Sequence, residues 1–79
     1  MDRGALNKAL LEAHHSNEIT ELVRLYAIAG DEAELRQDID AACFYLTQAF
    51  VFALEAGGPE AERLNKRLAD KGRAELLEF

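Results

Sequence analysis

Hydrophobic and polar residues recur with the period of an α-helix along nearly all of the chain. The first two segments carry apolar residues three, four and seven positions apart, as on the buried face of a helix. There is no sustained two-residue alternation and no Asn-Gly or Asp-Gly turn of the kind that joins β-strands. The pattern therefore predicts an all-α fold. The two stripes consist of Leu6, Ala9, Leu10 and Ala13, and of Ile19, Leu22, Val23, Tyr26 and Ala29.

A third segment, residues 40–56, is apolar on almost every side and must be covered from several directions. Gly57 and Pro59 separate it from a fourth helix, because glycine favours the end of a helix and proline the start of the next. Gly72 is expected to end the fourth helix. The remaining residues form a tail with three large apolar side chains that are exposed unless they dock. These are Leu76, Leu77 and Phe79.

The limits of the second helix are less clear than its apolar stripe. Ser16 or Asn17 is expected to cap its start. Its end has two candidates, Gly30-Asp31 and Gln37-Asp38, which both have the form of a helix stop followed by an N-cap. The later break is favoured, because it gives second and third helices of similar length that pack antiparallel more completely. The sequence thus predicts four helices in two antiparallel hairpins.

The length of 79 residues allows a single domain, residues 1–79, with one core. A domain this small buries only about 60% of its unfolded surface, so association with a second copy or with another partner is a plausible source of stability. Cys43 is the only cysteine, which excludes an internal disulfide and a multi-cysteine zinc site. No export signal follows Met1, and the most apolar stretch, residues 41–54, is shorter than the roughly 20 residues that span a bilayer. We expect a cytoplasmic protein without membrane contact.

The net charge of −6 arises entirely from residues 18–57, which contain eight acidic and two basic residues. Nucleic-acid binding usually requires a net basic surface, so DNA and RNA are not expected partners. Residues 31–40, the acidic segment, predict either a solvated helix face or a docking patch for a basic partner. On the fourth helix, Arg63, Arg67 and Lys71 follow one another at intervals of four. This basic stripe could pair with the acidic segment of another copy.

The third helix supplies the strongest indication of a partner surface. Phe44 and Phe52 lie on different sides of this helix. Only three other helices are available to cover it, of which two are short and one has a narrow apolar stripe. One interpretation places both phenylalanines in the hydrophobic core of a monomer. The other makes Phe44 and Phe52 part of a surface for a second copy or another protein.

The second helix carries Ile19, Leu22, Val23 and Tyr26, followed by the pair Gly30-Asp31. With these residues at this spacing, residues 19–31 resemble the first helix of a tetratricopeptide repeat. Large apolar residues, a tyrosine and a Gly-Asp pair stand at that repeat's spacing, although Leu35 replaces a usually small residue and Thr47 a closing proline. Residues 42–68 are similar to a second, degenerate hairpin. The resemblance implies a protein-binding scaffold, and it places ligand-facing positions at Asn17, Thr20 and Arg24, provided that the helix ends at Gly30.

Residues capable of catalysis or metal binding are too sparse to form a recognisable site. Glu12 and His15 form a single Glu-x-x-His pair, whereas di-iron bundles need two such motifs with additional glutamates. Cys43 has no histidine near it in sequence, and Ser16 is better explained as a helix cap. No glycine-rich phosphate loop is present. We therefore expect no catalytic, metal or cofactor site.

Together these patterns predict a non-catalytic protein-interaction or self-associating adaptor module that forms a homodimer or binds a protein that the sequence does not identify. A small acidic regulatory or accessory subunit of an enzyme is the alternative. The five candidate partner-binding residues are Asn17, Thr20, Arg24, Phe44 and Phe52.

Overall fold

A computed structural model describes residues 2–74, 76 and 77 and shows four α-helices in that part of the chain, without a strand. The prediction of an all-α, four-helix fold is confirmed. The helices are α1 (Arg3–His15), α2 (Ile19–Leu35), α3 (Ile39–Ala56) and α4 (Glu60–Asp70).

The end of α2 corresponds to the later of the two candidate breaks. Gly30 is buried inside the helix, where a Cβ atom would lie only 2.8 Å from Cδ2 of Leu46 on α3. Glycine at this position therefore permits close approach of the two helices instead of ending α2. Asp38 begins α3 as its N-cap, and its side chain accepts a hydrogen bond of 3.1 Å from the Ala41 amide.

All four helices end in the same way. A residue with positive φ follows each helix, and the next amide donates to a carbonyl five residues earlier, as in a Schellman motif. After α1 this residue is Asn17 (φ 55°), and the Glu18 amide lies 3.0 Å from the Ala13 carbonyl oxygen. The expectation that Ser16 or Asn17 caps α2 is wrong, because both residues belong to the end of α1 and Glu18 is the N-cap of α2. The other three positive-φ residues are Gln37, Gly57 and Gly72.

Consecutive helices pack against each other, so that α1 packs on α2, α2 on α3 and α3 on α4. The connections are short, which favours antiparallel neighbours. The body is flat, with principal extents of 32 × 29 × 13 Å, close to the thickness of one layer of helices. Tyr26 and Phe52 pack against both apolar clusters, one formed by α2, α3 and α4 and the other by α1 and α2.

Helix α3 is the most apolar element of the domain. Its 18 residues have a mean hydropathy of 1.3, so its length and composition alone would allow it to cross a membrane, although the apolar stretch considered in the sequence is shorter. Within the domain 28% of its residues are buried, on the side that packs against α2 and α4. A central helix of a globular core has the same composition.

Candidate protein-binding surfaces

A groove with a volume of about 630 Å³ runs along the domain between α2 and α4. This volume is within the roughly 300 to 1,000 Å³ that is usual for binding sites. We call it the α2–α4 groove. Its apolar lining residues come mainly from the facing sides of the two helices and include two core residues, Val23 and Leu64. The apolar lining consists of Val23, Ala27, Ile28, Ala56 and Leu64, and the polar rim of Thr20, Glu21, Arg24, Asp31, Glu60, Arg63 and Arg67.

On the α2 side of the groove, Arg24 and Glu21 form a two-pronged ion pair one helical turn apart. The Arg24 Nε and Nη2 atoms lie 2.5 and 3.0 Å from the two carboxylate oxygens of Glu21. The hydrogen bond from Arg24 lowers the pKa of the Glu21 carboxyl. Both side chains are accessible to solvent, so the pair holds Arg24 in place more than it stabilises the fold.

Arg67 on α4 connects the groove to the acidic segment. Its Nη2 atom lies 2.7 Å from Oδ1 of Asp31 and also donates to Glu34, whose other carboxylate oxygen is 3.3 Å from Nζ of Lys71. The hydrogen bond from Arg67 is the main reason why the pKa of Glu34 lies below its usual value. Two bases of the predicted basic stripe are thus paired within the chain and need no acidic segment from another copy.

Arg63 differs from the other two arginines of the groove. It is exposed and has no hydrogen-bond or ion-pair partner among residues 2–74, 76 and 77. The carboxylates of the groove are compensated in other ways, since Glu21 pairs with Arg24 and Asp31 with Arg67. Glu60 occupies the first residue of α4, where the helix dipole favours a negative charge. Arg63 is therefore the groove arginine that has no partner among the described residues.

A second exposed surface lies on the outward side of α3. Phe44, Thr47, Val51 and Leu54 follow one another at intervals of three or four residues and form one stripe, which we call the α3 face. The side chains of Phe44, Val51 and Leu54 are 59, 46 and 48% exposed. The buried residues of α3 lie on the other side of the helix. A large part of the apolar surface of α3 thus remains accessible.

The five residues predicted from the sequence lie in four different places. Thr20 and Arg24 line the α2–α4 groove, whereas Asn17 lies in the turn after α1 and does not line it. Phe44 belongs to the α3 face. Phe52 is half-buried, with its ring 6.0 Å from that of Tyr26. Phe44 and Phe52 consequently do not share a surface, and Phe52 belongs to the core.

Sequence reasoning did not identify Arg63 as a groove residue. The available signal was its spacing from Arg67, since two arginines four residues apart repel each other and each needs a partner. It also did not assign a contact to His14, whose Nε2 atom lies 2.8 Å from the Tyr26 hydroxyl. The ring of His14 is 5.9 Å from that of Phe52. His14 thus joins the end of α1 to the aromatic residues of α2 and α3.

The part of the chain that the structure describes contains no group of three or more histidine, cysteine, aspartate or glutamate residues that could hold a metal ion. Cys43 is buried as a free thiol. The two surfaces described above offer apolar area and fixed charges.

Comparison with protein-family models, curated proteins and solved structures finds no significant match. The resemblance to a tetratricopeptide repeat accordingly stays a prediction. The Gly30-Asp31 pair on which it partly rests lies within α2.

Proposed function

We propose that the chain is a non-catalytic protein-interaction module and that its α2–α4 groove binds a short acidic, amphipathic helix of another protein. The observation that supports this function is the groove itself, a concave apolar surface whose rim includes one arginine, Arg63, without a partner among the described residues. Sites for small segments of other proteins commonly combine an apolar groove with a few fixed charges.

The dimensions of the groove support a helical occupant. Its α2 side extends from Thr20 to Asp31, which corresponds to about 17 Å at 1.5 Å per residue. A helix of three turns has this length. The apolar residues of such a bound helix, spaced three and four positions apart, would cover Val23, Ala27 and Leu64 of the groove.

The charge of the rim supports an acidic occupant. A carboxylate opposite Arg63 would form an ion pair without breaking an existing one, because Arg24 and Arg67 are already engaged. A basic segment would instead place its charge beside Arg63. The repulsion between these like charges favours an acidic partner over a basic one.

The alternative function, an acidic regulatory subunit, would require free carboxylates in the acidic segment. Three of these carboxylates are engaged by bases near the end of the chain, so the groove is the better-supported surface. The pairs are Asp31 and Glu34 with Arg67, Glu34 with Lys71, and Asp40 with Arg73.

The proposal can be tested with a displayed library of helical 12-residue peptides selected on the purified chain. We expect enrichment of peptides with apolar residues three and four apart and with an excess of Asp and Glu. Binding of an enriched peptide, measured by fluorescence anisotropy, should weaken about tenfold for Arg63→Glu, equivalent to about 1.4 kcal/mol. Lys66→Glu is the matched control, because Lys66 is exposed on the same helix and does not line the groove.

Three results would count against the groove. These are the absence of any enriched peptide, enrichment without an acidic excess, and equal weakening by the Arg63 and Lys66 substitutions. Circular dichroism of both variants would show that the helices are retained. If binding is lost with Val51→Glu on the α3 face and kept with Arg63→Glu, the chain binds peptides at a different surface and the groove assignment is wrong.

A further inference from the structure

The α3 face is uncharged along its centre and has a charged residue near each end. Asp40 lies one turn before Phe44, and Glu55 directly follows Leu54. The guanidinium of Arg73, in the segment after α4, lies 2.6 Å from Oδ1 of Asp40. One end of the face thus carries an arginine beside an aspartate, whereas the other carries a glutamate.

The charge at the second end, that of Glu55, has no partner of opposite sign in the described part of the chain. The Glu55 side chain is exposed. An arginine from another molecule could therefore pair with Glu55 without competing with an existing contact. Arg73, at the opposite end of the same face, pairs with Asp40 of its own chain. Arg73 of a second copy would therefore bridge its own Asp40 and Glu55 of the first, in the way that Arg67 bridges Asp31 and Glu34.

We propose that a second copy of the chain docks on the α3 face with the two α3 helices antiparallel, about a twofold axis that passes between Thr47 and Val51. In this arrangement Phe44 of each copy packs against Leu54 of the other, and Thr47 lies opposite Val51. Arg73 of each copy comes near Glu55 of the other. The same patch is used on both copies, as a twofold interface requires.

Electrostatics distinguishes this arrangement from a parallel one. With the helices parallel, Glu55 would meet Glu55 and these like charges repel, while at the other end two Asp40–Arg73 pairs would meet. The antiparallel arrangement separates these like pairs and places Glu55 of each copy beside the Arg73–Asp40 pair of the other, where Arg73 lies between the two carboxylates. Burial of three large apolar side chains on each copy provides the main driving force, at about 25 cal/mol per Å² of apolar surface.

The composition of α3 favours a protein partner over a membrane surface. Helices that lie in a membrane interface carry lysine and arginine on their polar side. Helix α3 contains neither, and the chain has a net charge of −6 that anionic lipids would repel. A second copy covers the same apolar surface and offers Arg73, a cation near one end of the α3 face, whereas α3 itself offers none to a lipid headgroup.

Sedimentation velocity between about 10 and 500 μM should show a dimer in equilibrium with the monomer. Val51→Glu brings two carboxylates together near the axis and should raise the dissociation constant more than tenfold. Since Val51 is 46% exposed in the single chain, the fold should tolerate this change. Leu11→Glu is the matched control, because Leu11 is 70% exposed on α1 and lies away from the α3 face.

Cross-linking tests the direction of the helices on a Cys43→Ser background. The double substitution Phe44→Cys and Leu54→Cys should give cross-linked dimers with a short bismaleimide, whereas Phe44→Cys alone should give few. Efficient cross-linking of the single Phe44→Cys variant would contradict the antiparallel arrangement. A monomer at every concentration, or equal weakening by the Val51 and Leu11 substitutions, would contradict the interface.

A membrane partner is tested with phosphatidylcholine vesicles that contain phosphatidylglycerol. Binding to these vesicles that is lost with Val51→Glu, from a chain that stays monomeric in solution, would assign the α3 face to lipid and overturn the dimer. The dimer is independent of the α2–α4 groove. Val51→Glu should therefore leave peptide binding in the groove unchanged.

Discussion

The guanidinium of Arg67 on α4 lies 2.7 Å from the carboxylate of Asp31 on α2, although both helices pack mainly on α3. Glu34 accepts a second hydrogen bond from Arg67 and also pairs with Lys71. These contacts connect α2 and α4 to each other on one side of α3. They place the acidic segment and the basic stripe, which are separate in the sequence, in one network that holds α4 against the rest of the fold.

Removing the charge of Arg67 should weaken this network. We expect Arg67→Met to lower the free energy of unfolding by about 0.5 to 1 kcal/mol, a modest value because the paired side chains are about one-third exposed. Urea denaturation measures the effect. Lys66→Met, which removes an exposed charge on the same helix, should change stability by less. The difference between the two variants should shrink in 0.5 M salt, and a difference that salt leaves unchanged would indicate lost packing instead.

The stability of the domain should depend on pH through Glu34. Because the hydrogen bond from Arg67 lowers the pKa of Glu34 in the folded state, the unfolded chain binds its proton more readily. The stabilisation is therefore complete above the unfolded pKa of about 4.3, and it is lost as the pH falls through the lower folded value.

We expect the unfolding free energy of the unmodified chain to decrease below about pH 5, and Glu34→Gln to reduce this decrease. Thermal unfolding from pH 7 to pH 3 measures both curves. Glu62→Gln is a suitable control, because Glu62 is exposed on α4 and forms no ion pair among the described residues. Parallel curves for the unmodified chain and Glu34→Gln would show that Arg67 does not stabilise the charged carboxylate.

Gly30 should be intolerant of even a methyl group. Alanine is favoured over glycine within a helix by about 1 kcal/mol, so helix propensity alone predicts a more stable Gly30→Ala variant. The added Cβ atom, however, would lie 2.8 and 2.9 Å from two carbons of Leu46, whose side chain is completely buried. Overpacking of this kind costs about 1 to 3 kcal/mol, and we expect net destabilisation.

The matched substitution is Gly4→Ala in α1, where the nearest atom is an exposed Asp2 oxygen at 3.3 Å. It should be neutral or slightly stabilising in the same chemical denaturation experiment. In the background of Leu46→Ala, which removes the obstructing atoms, Gly30→Ala should no longer destabilise. A Gly30→Ala variant that is more stable than the unmodified chain would show that α2 and α3 are less closely packed than the structure indicates.

The sequence was sufficient to predict the helices because their apolar spacing and the Gly57 to Pro59 break are local signals. It left the end of α2 open, since Gly30 has the same local appearance as a helix stop and only its packing against Leu46 reveals its role. The pairing of Arg67 with Asp31 likewise depends on how α3 brings α2 and α4 together. Tertiary contacts of this kind leave little trace in the local pattern of residues.

The turns after α1 and α2 differ from the later two in using a residue other than glycine at positive φ. Asn17 has φ 55° and Gln37 has φ 61°, whereas Gly57 and Gly72 occupy the equivalent positions after α3 and α4. The left-handed conformation costs a residue with a Cβ atom roughly 1 to 2 kcal/mol, and asparagine is less affected than glutamine. Gln37 therefore holds the most strained of the four positions.

We expect Gln37→Gly to stabilise the domain by about 0.5 to 1 kcal/mol, because relief of the strained φ exceeds the added entropy of glycine in the unfolded chain. Asn17→Gly should have a smaller effect, since asparagine adopts this conformation more readily. Lys66→Gly, within α4, should lower stability by about 1 kcal/mol and shows the cost of glycine where φ is negative. Urea denaturation of the three variants provides the test. An unchanged or lower stability for Gln37→Gly would mean that the Gln37 side chain makes a contribution that outweighs its backbone strain.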